Sequence, residues 1–166
     1  VFEFMNDPAV PYLDQQYMLG DALMVAPVFR EDKVAQYYLP EGTWTELLTG
    51  ETKEGGRWYQ GTYDYFSMPL YVRENSIVVR GNCDTKPDYD YADHATVCVY
   101  QLKDAAETKV PDVHGNTVFT VKAVKEGDAV KVSVEGAHTE LKVEVFVGNE
   151  KKEAVLAADA DEVVVA

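Results

Sequence analysis

Apolar and polar positions fall into three different patterns along this chain. Towards the C-terminal end they alternate. Val130, Val132 and Val134 face one way and Lys131, Ser133 and Glu135 the other; Leu141, Val143, Val145 and Val147 then alternate with Lys142, Glu144 and Phe146. A period of two with one wet face predicts antiparallel strands. His114-Gly115-Asn116, Glu126-Gly127-Asp128 and Gly148-Asn149 separate them as turns. Strands at such short, regular spacing predict a β-sandwich.

The middle of the chain carries continuous apolar runs. Residues 23–29 read as a buried strand, and 36–39, 43–48, 63–68, 70–73 and 76–80 as further strands. Pro40-Glu41-Gly42 and Gly55-Gly56 mark turns. Residues 81–93, with Gly, Asn, Pro and four aspartates, have the composition of a linker or long loop.

The first twenty residues follow a third pattern. Residues 1–4 read as a short strand. Asp7-Pro8 offers an N-cap and a first-turn proline, Val10, Leu13 and Tyr17 recur at helical spacing, and Gly20 fits a C-cap. A strand and a helix are too little to fold alone, so this segment reads as the tail of an α/β element. The expected organisation is mainly β: a strand–helix remnant (1–22), a small β-domain (23–82) and a second β-sandwich (83–166).

Composition changes this picture little. The 166 residues are 46% apolar, 11% aromatic and 27% charged, as in a folded chain. With 15 Lys+Arg against 29 Asp+Glu, the net charge of -14 argues against nucleic acid and anionic membranes as partners. No apolar run approaches a membrane span, and no secretory signal is visible. Few cysteines and no signal lean towards the cytoplasm. A chain beginning at Val1 rather than Met reads as a processed product or a piece of something longer.

Candidate chemistry is sparse. Asp84, Asp88, Asp90 and Asp93, with His94 and Cys98 nearby, lack the glycine and closing glutamate of an EF-hand, and form no zinc spacing. They read as turn-forming aspartates in a solvated loop. Asp7 reads as a cap; Glu3, Asp14 and Asp21 show no partner that would tune an acid or base. His94, His114 and His138 are isolated, and Cys83 and Cys98 read as free thiols, with a disulfide as the alternative. Trp44, Trp58, Tyr59, Tyr63 and Tyr65 read either as core or as a platform for stacking sugars, with Trp44 and Trp58 the candidate binding residues. No catalytic residue, metal ligand or cofactor site is assigned.

Tyr12-Leu13-Asp14-Gln15-Gln16-Tyr17-Met18-Leu19-Gly20-Asp21, followed by Ala22-Leu23-Met24-Val25-Ala26-Pro27-Val28, closely resembles the segment that ends the catalytic barrel in glycoside hydrolase family 31. Tyr38-Leu39-Pro40-Glu41-Gly42-Thr43-Trp44 and Pro69-Leu70-Tyr71-Val72-Arg73-Glu74-Asn75-Ser76-Ile77 are similar to that family's next domain, and Lys86-Pro87-Asp88-Tyr89 to the passage joining its two C-terminal β-domains. The resemblance is strongest to the α-xylosidase branch. It departs at Phe4-Met5-Asn6-Asp7, where the family commonly has Phe-Pro-Asp-Asp, so no role passes to Asn6.

The resemblance implies a retaining α-glycosidase on a (β/α)8 barrel followed by two C-terminal β-domains. Its two catalytic aspartates lie on barrel segments upstream of the matching region and map to no residue here. The expectation is therefore an accessory region, inactive alone, of an α-xylosidase- or α-glucosidase-like enzyme. Its partners would be that barrel, the enzyme's carbohydrate substrate and, through the exposed face of Val10, Leu13 and Tyr17, a second copy. Two other readings stand beside it: a non-catalytic carbohydrate-binding β-sandwich using Trp44 and Trp58, and a purely structural interaction domain.

Overall fold

A computed structural model describes residues 4–166. The chain divides into two compact units, Val1–Glu74 and Asn75–Ala166.

In unit 1, a 3-10 turn (Val10–Tyr12) precedes seven strands: β1 (Tyr17–Leu19), β2 (Leu23–Val25), β3 (Val34–Leu39), β4 (Thr43–Glu46), β5 (Thr52–Glu54), β6 (Arg57–Thr62) and β7 (Leu70–Arg73). They form an antiparallel sheet in the order β1-β2-β7-β4-β5 and a two-stranded antiparallel sheet β3-β6. Met24, Ala26, Tyr37, Leu39, Trp44 and Tyr71 make the core, with Phe4, Met18, Tyr59 and Tyr63 packed against it. The β5–β6 turn lies close to the main chain after β3. A side chain on Gly55 would place its Cβ 1.8 Å from the Pro40 carbonyl oxygen, so only glycine fits there.

The expected strand–helix remnant is not what forms. Val1, Phe2 and Glu3, which carried the strand and one candidate acid, lie outside the described residues. The helix is replaced by one 3-10 turn and β1. Pro11 lies inside the stretch that would have to be helical, where it has no N–H to give and its ring crowds the preceding turn. Beyond it, the Gln16 side chain takes over the backbone pairing of Tyr38, donating from Nε2 to its carbonyl and accepting its N–H at Oε1, both at 2.7 Å. Gly20, with φ +64°, turns β1 into β2 instead of closing a helix. Val10 is buried while Tyr17, on β1, is half exposed, so the single helical face predicted for Val10, Leu13 and Tyr17 does not form.

Residues 63–68 also form no strand. Asp64 Oδ1 accepts the Phe66 N–H (2.9 Å) and the Ser67 hydroxyl (2.7 Å), and this local closure competes with a sheet ladder.

Unit 2 holds β8 (Ser76–Arg80), β9 (Thr96–Tyr100), β10 (Ala105–Pro111), β11 (Thr117–Glu126), β12 (Ala129–Gly136), β13 (Leu141–Val147), β14 (Glu150–Leu156) and β15 (Glu162–Val165). Two four-stranded sheets, β10-β11-β12-β15 and β14-β13-β9-β8, enclose one core. β9 and β13 pair in parallel; the other neighbours are antiparallel. The predicted alternation holds. Val130, Val132, Val134, Leu141, Val143 and Val145 are buried, while Val147 lies past the edge of the core and is half exposed. Residues 81–95 form a long connection between β8 and β9, both of which lie in one sheet of this unit.

Candidate functional site

The aromatic residues of unit 1 split between core and surface according to the strand that carries them. Trp44 sits on β4, flanked on either side by β5 and β7, and is 1% exposed. Its Nε1 donates to the Pro40 carbonyl at 2.8 Å, and the Phe4 ring lies 6.3 Å away. With no face open to a ligand, Trp44 is a core residue, not a sugar platform. Trp58 sits on β6, opposite Tyr38 of β3, and is 50% exposed. Its ring is tilted against Tyr38 at 5.6 Å. Period two sends the next residue, Tyr59, to the other face, where its ring stacks on buried Tyr37 at 5.9 Å. Tyr65, by contrast, is almost wholly in solvent.

Beside Trp58 lies a groove of about 150 Å³ lined by Tyr12, Leu13, Asp14, Gln15, Gln16, Gln36 and Trp58. Its floor is held firmly. Gln16 is bonded twice to the Tyr38 backbone, and the Tyr38 hydroxyl donates to Asp7 Oδ2 at 2.9 Å. Burial first, then that bond to Asp7, raises the Tyr38 phenol above its ordinary pKa and keeps it a donor. Asp7 also accepts the Ala9 N–H at 3.0 Å, so both its carboxylate oxygens have structural work. Asp7, Glu41, Arg73 and Phe4 line a wider cavity of about 650 Å³, in which Arg73 lies over the Phe4 ring at 5.0 Å.

A polar cluster lies inside unit 1. Lys53 Nζ donates to the hydroxyls of Tyr37 (2.9 Å) and Tyr71 (2.6 Å), and sits 5.1–5.6 Å from the rings of Tyr37, Tyr59 and Tyr71. The Tyr37 and Tyr71 hydroxyls are 2.8 Å apart, and Tyr63 donates to Tyr37 at 3.1 Å. Burial pushes the Tyr37 and Tyr71 phenols far above their ordinary pKa. These neutral phenols supply neither a base nor a nucleophile at pH 7; they satisfy one another and the lysine.

The remaining candidates are dispersed. Asp84, Asp88, Asp90 and Asp93 are exposed; Asp90 accepts the Ala92 N–H (3.0 Å), and Asp93 lies 2.7 Å from His94 Nδ1. Among the described residues, no three His, Cys, Asp or Glu side chains converge to hold a metal. Asp21 is in the β1–β2 turn. His114 lies in a turn closed by Asp112, and His138 Nδ1 is 2.7 Å from the Thr139 carbonyl oxygen. Both cysteines are free. Cys98 is buried beside Glu144 (3.6 Å), and burial pushes its thiol up to about 11. The exposed Cys83 thiol is lowered by its hydrogen bond to Thr85. Among the described residues, no helix is long and apolar enough to cross a membrane.

Sequence reasoning missed Tyr12, Gln16 and Gln36 as neighbours of Trp58. Gln36 falls in the strand predicted over 36–39 and is exposed, but only the β3–β6 pairing reveals what lies beside it. Lys53 gave no signal in Thr52-Lys53-Glu54.

Residues 1–78 match the glycosyl hydrolase family 31 C-terminal domain, and residues 90–166 match the C-terminal domain of alpha-xylosidase YicI. The chain belongs to the C-terminal region of glycoside hydrolase family 31. It is 32% identical over 152 residues to alpha-xylosidase XylQ of Lactiplantibacillus pentosus, covering 89% of this chain and 20% of that protein. To alpha-glucosidase 2 of Bacillus thermoamyloliquefaciens it is 26% identical, covering 90% of this chain and 19% of that one. The crystal structure of the family 31 alpha-xylosidase from Xanthomonas citri superposes with a TM-score of 0.75 at 27% identity, over 98% of this chain and 20% of that chain. The chain thus spans about a fifth of the length of these relatives. The similarity runs through both units, including the distal half.

Proposed function

We propose that this chain serves as the accessory C-terminal region of a retaining α-glycosidase acting on α-xylosides or α-glucosides. The carrying observation is the similarity to α-xylosidases and an α-glucosidase across both units. The local chemistry supports an accessory role. A retaining glycosidase needs two carboxyl groups ~5–5.5 Å apart, one nucleophile and one acid. The carboxylate best placed in unit 1, Asp7, is spent on Tyr38 and the turn.

Unit 1 would pack on the enzyme's catalytic domain. Its loops at 26–33 and 63–69 are tied together by Ala26 N to Pro69 O (3.0 Å) and Tyr63 N to Lys33 O (2.9 Å). They carry Phe29, Tyr65 and Phe66 at 71%, 93% and 87% exposure. Rings so exposed on a folded unit are characteristic of a surface that a partner covers. In this reading, residues 1–22 continue from the barrel, and the rest of unit 1 and unit 2, which divide after Glu74, are the proximal and distal accessory domains.

The purified 166-residue chain is expected to release no chromophore from 4-nitrophenyl α-xyloside or α-glucoside. Sustained turnover would refute the accessory role.

A further inference from the structure

We propose that the groove beside Trp58 binds one pyranose ring of a neutral oligosaccharide. This goes beyond the accessory role and does not depend on it.

The groove offers a ring two kinds of surface. Two exposed aromatic rings line it, Trp58 and Tyr12, 50% and 80% exposed. Asp14, Gln15, Gln16 and Gln36 add a carboxylate and three amides to the same lining. A pyranose has the same two kinds of surface: a flat face of C–H bonds that lies on an indole, and a rim of hydroxyls that both donate and accept. Each amide has two donors and two acceptor lone pairs, and a carboxylate only accepts, so the rim can be matched at every hydroxyl. Gln16 uses one donor and one acceptor on Tyr38, and in doing so is fixed in place.

Other occupants fit less well. No lysine, arginine or histidine lines the groove, and Asp14 is anionic, so phosphates, uronates and nucleic acid find no counter-charge. An apolar peptide would bury Asp14, Gln15 and Gln36 without partners, at the cost of their desolvation. A volume of 150 Å³ is well below the ~300–1,000 Å³ of pockets for drug-sized ligands, and so takes a single ring. The platform is rigid before binding, because Tyr38 props Trp58 and is held at both its backbone and its hydroxyl.

The chain's two tryptophans make the test internally controlled. In the 15N-labelled 166-residue chain, maltotriose or xylose is titrated while the two indole N–H signals are followed. The Trp58 signal should move saturably. The Trp44 signal, bonded to Pro40 inside the core, should stay put. Trp58→Ala should weaken binding about tenfold or more, and Trp58→Tyr, which keeps a flat ring, only a few-fold. Since Trp58→Ala also removes the partner of Tyr38, Gln36→Ala is the second variant. It leaves the ring pair intact and should weaken binding several-fold with unchanged circular dichroism. Sorbitol, with the hydroxyls but no ring face, should have no effect. The proposal is overturned by a still Trp58 signal, by equal shifts with sorbitol, by unweakened binding in Gln36→Ala, or by shifts that follow protein concentration instead of sugar. The last result would make the groove a contact between copies of this chain.

Discussion

The two units solve the same folding problem with different materials. Unit 2 closes its sandwich chiefly on valine, alanine, leucine and isoleucine, with Phe119 and Tyr100 its buried large rings, and its exposed large apolar residues are four valines and Tyr91. Unit 1 builds its smaller core from Trp44, Tyr37, Tyr71, Met24 and Leu39, and sends Tyr12, Phe29, Trp58, Tyr65 and Phe66 outward. Aliphatic side chains alternating along a strand need only the opposing sheet. Aromatic residues with polar ends must also place a hydroxyl or an N–H, and unit 1 does so through Lys53 and Pro40. The difference teaches that unit 2 covers its large side chains with its own sheets, whereas unit 1 leaves several large aromatic rings in solvent, as the proposed packing on a partner requires.

The largest expected effects come from cutting each core. Trp44→Ala should cost unit 1 about 3–5 kcal/mol, and Leu141→Ala should cost unit 2 about 2–5 kcal/mol. Both tryptophans belong to unit 1, so fluorescence follows that unit alone while far-ultraviolet circular dichroism follows both. Leu141→Ala should lower one dichroism transition and leave the fluorescence midpoint in place; Trp44→Ala, read through Trp58, should lower the fluorescence midpoint together with the other dichroism transition. If Leu141→Ala also moves the fluorescence midpoint, the units unfold as one and the contrast in their cores has no separate energetic meaning.

The same contrast explains what could be read from sequence. β12 and β13 were legible because each residue's face is set by the strand period alone. The segment before β1 was not. Val10, Leu13 and Tyr17 have helical spacing, yet Pro11 and the Gln16–Tyr38 pairing decide the backbone, and that pairing spans 22 positions. The two tryptophans show the limit for the site. Trp44 and Trp58 both stand on short strands among polar neighbours. What separates them is that β4 lies inside a five-stranded sheet and β6 pairs with one strand only, a difference in topology that no local pattern carries.

A smaller effect separates the units by pH. The buried Cys98 thiol, beside Arg80, Glu144 and Tyr100, is held at about 11 against an ordinary 9.0, with burial the main cause. Its folded value is raised, so its contribution to unit 2 is fully present below pH 9 and is lost as pH rises towards 11. Unit 1's raised groups, Tyr37 and Tyr71, start from an ordinary 10.0, so its decline begins about one unit higher. Between pH 9 and 10, in a Cys83→Ser background, Cys98 should cost unit 2 about 1 kcal/mol, against about 0.4 kcal/mol for each of Tyr37 and Tyr71 in unit 1. Cys98→Ala should remove that slope. Equal slopes in both units would mean that the thiol is not what distinguishes them.

The smallest expected change in stability is also the sharpest test of what unit 1's outer rings are for. Tyr65 and Phe66 touch each other edge to face at 5.3 Å and are otherwise in water. Their loop is shaped by Asp64 and Ser67, not by the rings. Replacing both with serine should therefore change the stability of unit 1 by no more than about 0.5 kcal/mol, as for surface positions generally. Binding of an apolar dye such as 8-anilinonaphthalene-1-sulfonate should nevertheless fall, because the double variant removes two adjoining exposed rings from the patch. The analogous change in unit 2, Val155→Ser and Val164→Ser, should leave dye binding where it was. A clear drop in the melting temperature of the Tyr65→Ser/Phe66→Ser variant would show that these rings belong to unit 1's own packing. The contrast between a self-sufficient unit and an outward-facing one would then fail at the place where it is most exposed.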